Sequence, residues 1–288
     1  MKAIYKRELN SYFHTMIGYV FIAFLVAYTG VYFMAYNLNY GYPYFSYVLT
    51  GILFVLLIAI PVLTMRSFAE DRKNKTDQLL LTSPVSLTKV VLGKYLAMVT
   101  ILAVPCVIYL IFPLIIKAQG TAYILTDYLS ILMFFLLGCV YISIGIFISS
   151  LTESIIIAAI GTMGILVALY LWDGILGFLP SGAGTNAIGA AVILSLIAFG
   201  IWQMTKNWIL GAGAEIIILA GTAVAYAVRS ELFENLLPNL LGKLELTTPL
   251  TVITESSYLD VSGIILYLSL IVVFLFLTIQ MIQKRRWS

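Results

Sequence analysis

Charge is what this sequence lacks most. Only 10% of its 288 residues are charged and 62% are hydrophobic, whereas a soluble domain of this size has about 25% charged residues. A soluble fold cannot absorb the difference, because its surface still needs charged side chains in contact with water. The composition therefore excludes an ordinary soluble protein and indicates that lipid is the solvent for much of the chain.

Residues that commonly bind metals or catalyse reactions are also scarce. The chain has one histidine, His14, and two cysteines, Cys106 and Cys139. A single histidine excludes multi-histidine metal sites and gives no sign of a His-based triad. Both cysteines fall within long apolar runs, where we expect buried, unreactive thiols. We therefore predict no catalytic residue and no metal site in this chain.

A nucleotide-binding loop is missing as well. Gly93-Lys94 and Gly242-Lys243 each lack the upstream glycine that a Walker A loop requires. No cofactor is therefore expected in this chain. If the protein uses ATP, we expect a partner chain to bind the ATP and its Mg²⁺.

Long apolar runs are abundant. A membrane-spanning helix needs roughly 20 mostly apolar residues, and eight stretches approach this length. They predict an all-α, polytopic helical bundle with six to eight spans, treated as one domain over residues 1–288. The eight stretches are Thr15–Met34, Val48–Met65, Val90–Ile116, Tyr128–Leu151, Ser154–Trp172, Ala187–Met204, Trp208–Val228 and Gly263–Ile282.

The distribution of Lys and Arg predicts the orientation. With the N-terminus in the cytoplasm and eight spans, only Lys117, Arg229 and Lys243 lie outside; the other thirteen of the 16 Lys and Arg residues lie inside. Positive residues concentrate on the cytoplasmic side of membrane proteins, so we expect a multi-pass protein of the cytoplasmic membrane with both termini inside. The net charge of +3 follows from this asymmetry, so we expect membrane lipid and no nucleic acid as a partner.

Two segments outside the spans are amphipathic. Residues 1–14 predict an interfacial helix, with Ile4, Leu9, Tyr12 and Phe13 on lipid and three cations, Lys2, Lys6 and Arg7, facing water. Residues 229–260 are too polar to span, yet rich in leucine, and predict short helices on the extracytoplasmic side.

The long cytoplasmic loop, residues 66–89, predicts a docking surface. Arg66, Glu70, Lys73 and Asp77 share one face of a helix, with i,i+4 support from Arg66/Glu70 and Lys73/Asp77. The opposite, apolar face contains Phe68, Thr76, Leu79 and Leu80. Ser83-Pro84 should end this helix, because the residue before proline avoids the α region. The alternative is a solvated loop, which would leave the leucines in water.

One ionisable residue within the predicted spans invites a functional interpretation. Glu215 lies about two turns into Trp208–Val228, and intramembrane carboxylates often serve transport. Ion-coupled carriers usually need several such groups, so local pairing is the alternative.

A family resemblance is carried by three stretches, Tyr5–Leu9, Pro61–Ala97 and Tyr267–Trp287. Together they resemble ABC-2 type permeases of the gliding-motility/copper-processing kind. The N-terminal Tyr5-Lys6-Arg7-Glu8-Leu9 is similar to the first helix of that family. Pro61–Ala97, PVLTMRSFAEDRKNKTDQLLLTSPVSLTKVVLGKYLA, is similar to its first cytoplasmic loop, and Tyr267–Trp287 to its last span and basic-Trp terminus. Lys75 stands where the family usually has glycine, and Asp77 where an apolar residue is common.

The resemblance implies a transmembrane permease subunit of an ABC exporter, not itself an enzyme. It implies two ABC ATPase subunits, a second permease chain (identical or different) and, in some relatives, an extracytoplasmic accessory subunit. The loop would then contain the coupling helix that docks on the ATPase. The predicted ATPase-coupling residues are Arg66, Glu70, Arg72, Lys73, Thr76, Asp77, Leu79, Leu80, Thr82, Ser83 and Pro84. The rival hypotheses are an ion-coupled secondary transporter using Glu215, a membrane enzyme and a non-transporting membrane scaffold.

Overall fold

The computed structural model describes residues 1–76, 86–205, 222, 226, 229–256, 258 and 260–287. All regular secondary structure in these ranges is helical, which confirms the predicted all-α class. The chain divides into two compact units, one formed by residues 1–170 and 246–288, the other by residues 171–245.

The first unit contains most of the helices. They are α1 (Lys2–His14), α2 (Ile17–Phe33), α3 (Ser46–Gly51), α4 (Leu53–Thr64), α5 (Ala69–Lys73), α6 (Leu87–Tyr109), α7 (Phe112–Gln119), α8 (Ile124–Leu151), α9 (Ile155–Tyr170), α13 (Thr248–Ser256) and α14 (Val261–Trp287). A π-helical segment, Met34–Asn39, directly follows α2.

Five helical stretches among the described residues are long and apolar enough to cross a membrane. They are Ile17–Asn39, Leu53–Lys73, Leu87–Gln119, Ile124–Leu151 and Val261–Arg285. These stretches confirm helices at the first four predicted spans and the last one, with shifted ends.

The other three predicted spans have different outcomes. Ser154–Trp172 corresponds to α9, whose 16 residues give a length of about 24 Å, shorter than the roughly 30 Å of a bilayer core. Ala187–Met204 corresponds to a 23-residue helix, Ala183–Thr205. Trp208–Val228 lies outside the described residues except at two positions, so it stays a prediction.

Helix α8 is the central element of the first unit. It packs against α4, α6, α9, α13 and α14, and most of its middle is buried. Small residues permit this close packing. A Cβ added at Gly138 would meet Leu102 of α6, and one added at Gly145 would overlap the side chain of Thr64 at the end of α4. Cys106 and Cys139 are buried thiols in α6 and α8, as expected.

The second unit is built from α10 (Trp172–Leu176), α11 (Ala183–Thr205), a 3₁₀ turn (Ser230–Phe233) and α12 (Leu236–Gly242). Asn186 is its buried polar centre. Its amide donates to the carbonyl of Pro180 at 2.8 Å, and its Oδ1 accepts the backbone N–H of Leu237 at 3.1 Å. Trp172 Nε1 donates to the Leu241 carbonyl at 2.9 Å, which holds α10 to the end of α12.

Helix α1 confirms the predicted N-terminal helix but corrects the environment of its apolar face. Ile4 and Leu9 pack against the hydrophobic core, and Ile4 touches the surface of α6 at Gly93. The hydroxyl of Tyr5 lies 3.0 Å from that of Thr100 on α6. The face predicted to contact lipid therefore contacts protein, because α6 offers a glycine where the helix can approach closely.

Candidate functional site

Lys94, about two turns into α6, is the centre of a buried polar site. Its side chain is 2% exposed. Its Nζ donates to the carbonyl of Ser67 at 2.7 Å and forms ion pairs with Asp71 Oδ2 at 2.8 Å and Glu8 Oε1 at 3.1 Å. We call these four residues the Lys94 cluster. It joins α1, α5 and α6 through one cation.

The contacts of the Lys94 cluster offset the free-energy cost of burying the Lys94 ammonium. An isolated ammonium in a protein interior is strongly destabilising unless carboxylates and hydrogen bonds replace its water. Lys94 has both, and its Nζ also lies 5.2 Å from the ring centroid of Phe68, within cation–π range. Removing the cation would leave Asp71 without an ion pair among the described residues, and Glu8 with only the exposed Arg7.

Ser149, near the end of α8, fixes the beginning of α5. Its Oγ accepts the backbone N–H groups of Phe68 and Ala69, both at 3.1 Å, and donates to the Met65 carbonyl at 3.2 Å. The first N–H groups of a helix have no partners within the helix, so a side chain from another helix satisfies them here. Displacing α5 must therefore disturb α8.

A second contact joins α5 to the residues after α8. Arg72 is buried, and its guanidinium donates to the Thr152 carbonyl at 3.4 Å. Together with Lys94 and Ser149, this contact connects a five-residue helix to two candidate spans. Such a short helix would not be stable alone.

The end of α5 has the hydrogen bonds of a Schellman motif. Thr76 N–H donates to the Asp71 carbonyl at 2.8 Å, Lys75 N–H donates to the Arg72 carbonyl at 2.9 Å, and Lys75 is left-handed at φ 56°. Glycine is the usual residue at this position. The family pattern, with glycine where this chain has Lys75, agrees with this geometry.

The predicted continuous helix from Arg66 through Asp77 is therefore wrong. A turn at residues 65–68 precedes α5, and the left-handed Lys75 follows it. Phe68, expected on a partner-facing apolar surface, is instead buried within the chain, because the turn directs it toward Lys94. Arg66 and Glu70, expected to pair, form no ion pair within the described residues.

The other predicted coupling residues divide into two groups. Lys73 and Thr76 are exposed at the end of α5, where a partner could reach them. The remaining ones lie outside the described residues, and their roles stay predictions: Asp77, Leu79, Leu80, Thr82, Ser83 and Pro84.

Helix α1 is held to the same region by Tyr12. Its buried hydroxyl donates to the Leu63 carbonyl of α4 at 3.0 Å. Burial, followed by the negative charges of Glu8, Glu70 and Asp71, raises the pKa of Tyr12. The hydroxyl therefore keeps its proton at physiological pH and remains a donor.

Sequence reasoning missed the residues that hold this site together. Lys94 was assigned to the cytoplasmic charge count although it lies inside Leu87–Gln119, a candidate span. Glu215, which lies outside the described residues, is therefore not the only ionisable residue in a span. The signal available was a lysine within a long apolar run, because such a residue needs a buried partner.

A second buried charge lies at the opposite end of α8. Asp127, with 0% exposure, accepts the backbone N–H groups of Phe45 at 2.8 Å and Ser46 at 3.1 Å. It thereby satisfies the N-terminus of α3. The sequence analysis did not single it out, and its contacts are those of a structural cap.

Comparison with known families assigns the chain to one of them. The family model described as ABC-2 family transporter protein matches residues 11–285. The chain belongs to the ABC-2 transporter family. The match includes all five candidate spans and the Lys94 cluster except Glu8. No curated protein and no solved structure matches the chain.

Family membership indicates what kind of complex this site belongs to. An ABC-2 protein is a membrane permease subunit of an ABC transporter and works with ABC ATPases. A metal role finds no support in the described ranges, where no group of three or more His, Cys, Asp or Glu side chains could hold an ion. The arrangement attaches α5, a short helix with an exposed end, to two candidate spans, so it is suited to transmit movement.

Proposed function

We propose that this ABC-2 protein is the permease half of an exporter in the cytoplasmic membrane, with both termini in the cytoplasm. Separate ATPase subunits bind ATP and Mg²⁺ and supply the energy. Two ATPase chains and a second permease chain complete the transporter, and an extracytoplasmic subunit accompanies it if the chain follows the gliding-motility/copper-processing relatives. The charge distribution and the family support this proposal.

The observation that carries the coupling mechanism is the double attachment of α5. The beginning of α5 is held by Ser149 of α8, and its Asp71 is held by Lys94 of α6. A five-residue helix held at its beginning and at its middle transmits displacement to the helices that hold it. We propose that ATP-driven movement of the ATPase displaces α5 and, through these contacts, α6 and α8.

The residues after α5 provide the docking contact in this proposal. Leu79 and Leu80 lie outside the described residues, but leucines on a cytoplasmic loop need a partner to leave water. Burying two leucine side chains would contribute roughly 3–6 kcal/mol, enough to matter for assembly. Lys73 and Thr76, which are exposed and precede these leucines in the sequence, would orient the contact.

The proposal is tested with the double variant Leu79→Asp/Leu80→Asp. We expect it to lose co-purification with the ATPase, or to keep the complex while hydrolysis no longer drives export. The matched control is Leu240→Asp/Leu244→Asp, since both leucines are exposed and lie in the segment predicted to be extracytoplasmic. The control should retain the complex.

Survival of complex formation, hydrolysis and export in the Leu79/Leu80 variant would contradict the proposed docking contact. Transport that continues without ATP hydrolysis, and that Glu215→Gln abolishes, would favour the ion-coupled alternative.

A further inference from the structure

Two depressions on the first unit share part of their lining. One is a polar cavity of about 340 Å³ beside α1 and α5, and the other is an apolar groove of about 240 Å³ between α2 and α4. Thr15 and Ile17 line both of them. A polar space that adjoins an apolar one fits an amphipathic molecule.

The apolar groove lies on two candidate spans. Its described lining is Thr15, Met16, Ile17, Val20, Phe21, Phe24, Ile58, Ala59 and Val62. Several of these side chains are exposed, including Val20 at 64% and Val62 at 44%, as expected for a surface that faces lipid. Met16 to Phe24 extends about 12 Å along α2, which suits part of one acyl chain.

Among the described residues, the polar cavity has one cation and one anion without an ionic partner. Lys94 is paired with Glu8 and Asp71, and Arg7 is paired with Glu8. The cavity lining also includes Arg66 and Glu70, and neither forms an ion pair with any described residue. The Nε of Arg66 is buried and has no hydrogen-bond partner in this part of the chain.

We propose that this composite site holds a phosphatidylethanolamine molecule. Its acyl chain occupies the α2/α4 groove, its phosphate binds Arg66 and its primary ammonium binds Glu70. Guanidinium binds phosphate through charge-assisted hydrogen bonds, and ammonium donates equally strong ones to a carboxylate. The site is a lipid site in its own right and does not depend on the export function.

The charges select this headgroup over two other common ones. An anionic headgroup such as phosphatidylglycerol has a phosphate for Arg66 but nothing to offset the carboxylate of Glu70. A choline headgroup has the positive charge, but it has no N–H to donate to Glu70. Only a headgroup with a phosphate and a hydrogen-bonding ammonium satisfies both residues.

The test is native mass spectrometry of the delipidated, full-length chain titrated with dioleoyl phosphatidylethanolamine, phosphatidylglycerol or phosphatidylcholine. Phosphatidylethanolamine should bind about tenfold more tightly than the other two, the ratio expected for one charged hydrogen bond. Arg66→Gln should weaken all three lipids by about the same factor. Glu70→Gln should remove the preference while phosphatidylglycerol still binds.

Groove variants separate the acyl chain from the headgroup. Val62→Trp fills the groove and should weaken every lipid. Val31→Trp, at a valine that is also exposed but lies outside the groove, should not. Soluble phosphoethanolamine alone should not bind measurably. Equal binding of the three lipids to the native chain would overturn the proposal. So would unchanged lipid binding in Arg66→Gln or Val62→Trp, or phosphoethanolamine binding as tightly as the lipid.

Discussion

The two ends of α8 are fastened by different chemistry. At one end Ser149 holds the backbone of α5, beside the ion pairs of Lys94. At the other end Asp127 caps α3 among stacked aromatic rings, with the rings of Phe45 and Phe112 5.2 Å apart and those of Tyr44 and Tyr123 4.3 Å apart. At each end, one side chain of α8 accepts backbone N–H groups at the beginning of a neighbouring short helix. Only the Ser149 end holds a helix, α5, whose own far end is exposed.

The two ends therefore differ in role: Asp127 acts as a structural cap, whereas Ser149 and Lys94 connect α5 to the spans. Asp127 fixes α3 inside the unit, and aromatic packing around it resists rearrangement. The Lys94 cluster fixes α5, whose far end is exposed and leads into the loop predicted to meet the ATPase. Directional ion pairs and hydrogen bonds hold α5 to α1, α6 and α8 at once, so its displacement reaches three helices.

Breaking the Lys94 cluster should produce the largest effect. Lys94→Met leaves Asp71 without an ion pair among the described residues and Glu8 with only Arg7, and breaking a buried pair in this way costs about 3–5 kcal/mol. We expect a clear fall in the thermal unfolding temperature of the purified chain. Lys89→Met, which removes an exposed lysine from the same helix, should change stability by less than about 0.5 kcal/mol. Equal effects of the two substitutions would contradict the buried role of Lys94.

The cap at the other end of α8 should be weaker but still important. Asp127→Leu leaves two backbone N–H groups of α3 unsatisfied, at a cost of about 2–3 kcal/mol in unfolding free energy. Asp127→Asn keeps an acceptor and should cost about 1 kcal/mol. Neither variant should affect ATPase binding. If both were equally destabilising, the charge of Asp127, and not its cap, would be the important property.

Close packing between the two ends can be tested at glycines. Gly145→Ala places a methyl group against Thr64, and overpacking of this kind costs about 1–3 kcal/mol. Gly164→Ala in α9 meets nothing within 4 Å, so it should be neutral or slightly stabilising, since alanine is the better helix former. Chemical denaturation of both variants in detergent measures this contrast. A stable Gly145→Ala protein would show that α4 and α8 can separate without cost.

The smallest expected effect concerns the end of α5. Lys75→Gly should stabilise the chain by about 1 kcal/mol, because glycine adopts the left-handed conformation without the steric penalty of a side chain. Lys73→Gly, at a helical position, should destabilise it by about 0.5–1 kcal/mol. Thermal unfolding of the two variants should therefore shift in opposite directions. Shifts in the same direction would argue against the Schellman motif.

Composition and apolar run length were sufficient to predict the helical class and five spans, because the bilayer imposes both. They could not predict that α5 is only five residues long. The i,i+4 pattern from Arg66 to Asp77 predicts a continuous helix. Ser149 and Lys94 instead bind the backbone just before α5 and at its first residue, and these contacts determine where α5 begins. These contacts come from residues about 20–80 positions away in sequence and leave no local periodicity.

The structure therefore adds residues to the candidate site that the sequence of the loop did not indicate, while the coupling role of the loop stays a prediction. The family resemblance covers the segment that contains α5, and the family pattern has glycine where this chain has the left-handed Lys75. It did not show that Phe68 and Arg72 are buried, or that Lys94 is the common partner. Burial of long polar side chains depends on tertiary contacts, and a single sequence shows only their charge.

The most direct test of the coupling account is photo-cross-linking from the exposed end of α5. A photoreactive phenylalanine analogue replaces Lys73 in one variant and Lys117, exposed at the end of α7 and predicted to face outward, in another. In complexes that contain the co-purifying ATPase, position 73 should cross-link to the ATPase chain in a nucleotide-dependent manner, and position 117 should not. Absence of a cross-link at position 73, or equal cross-linking from position 117, would contradict the claim that α5 lies at the ATPase contact.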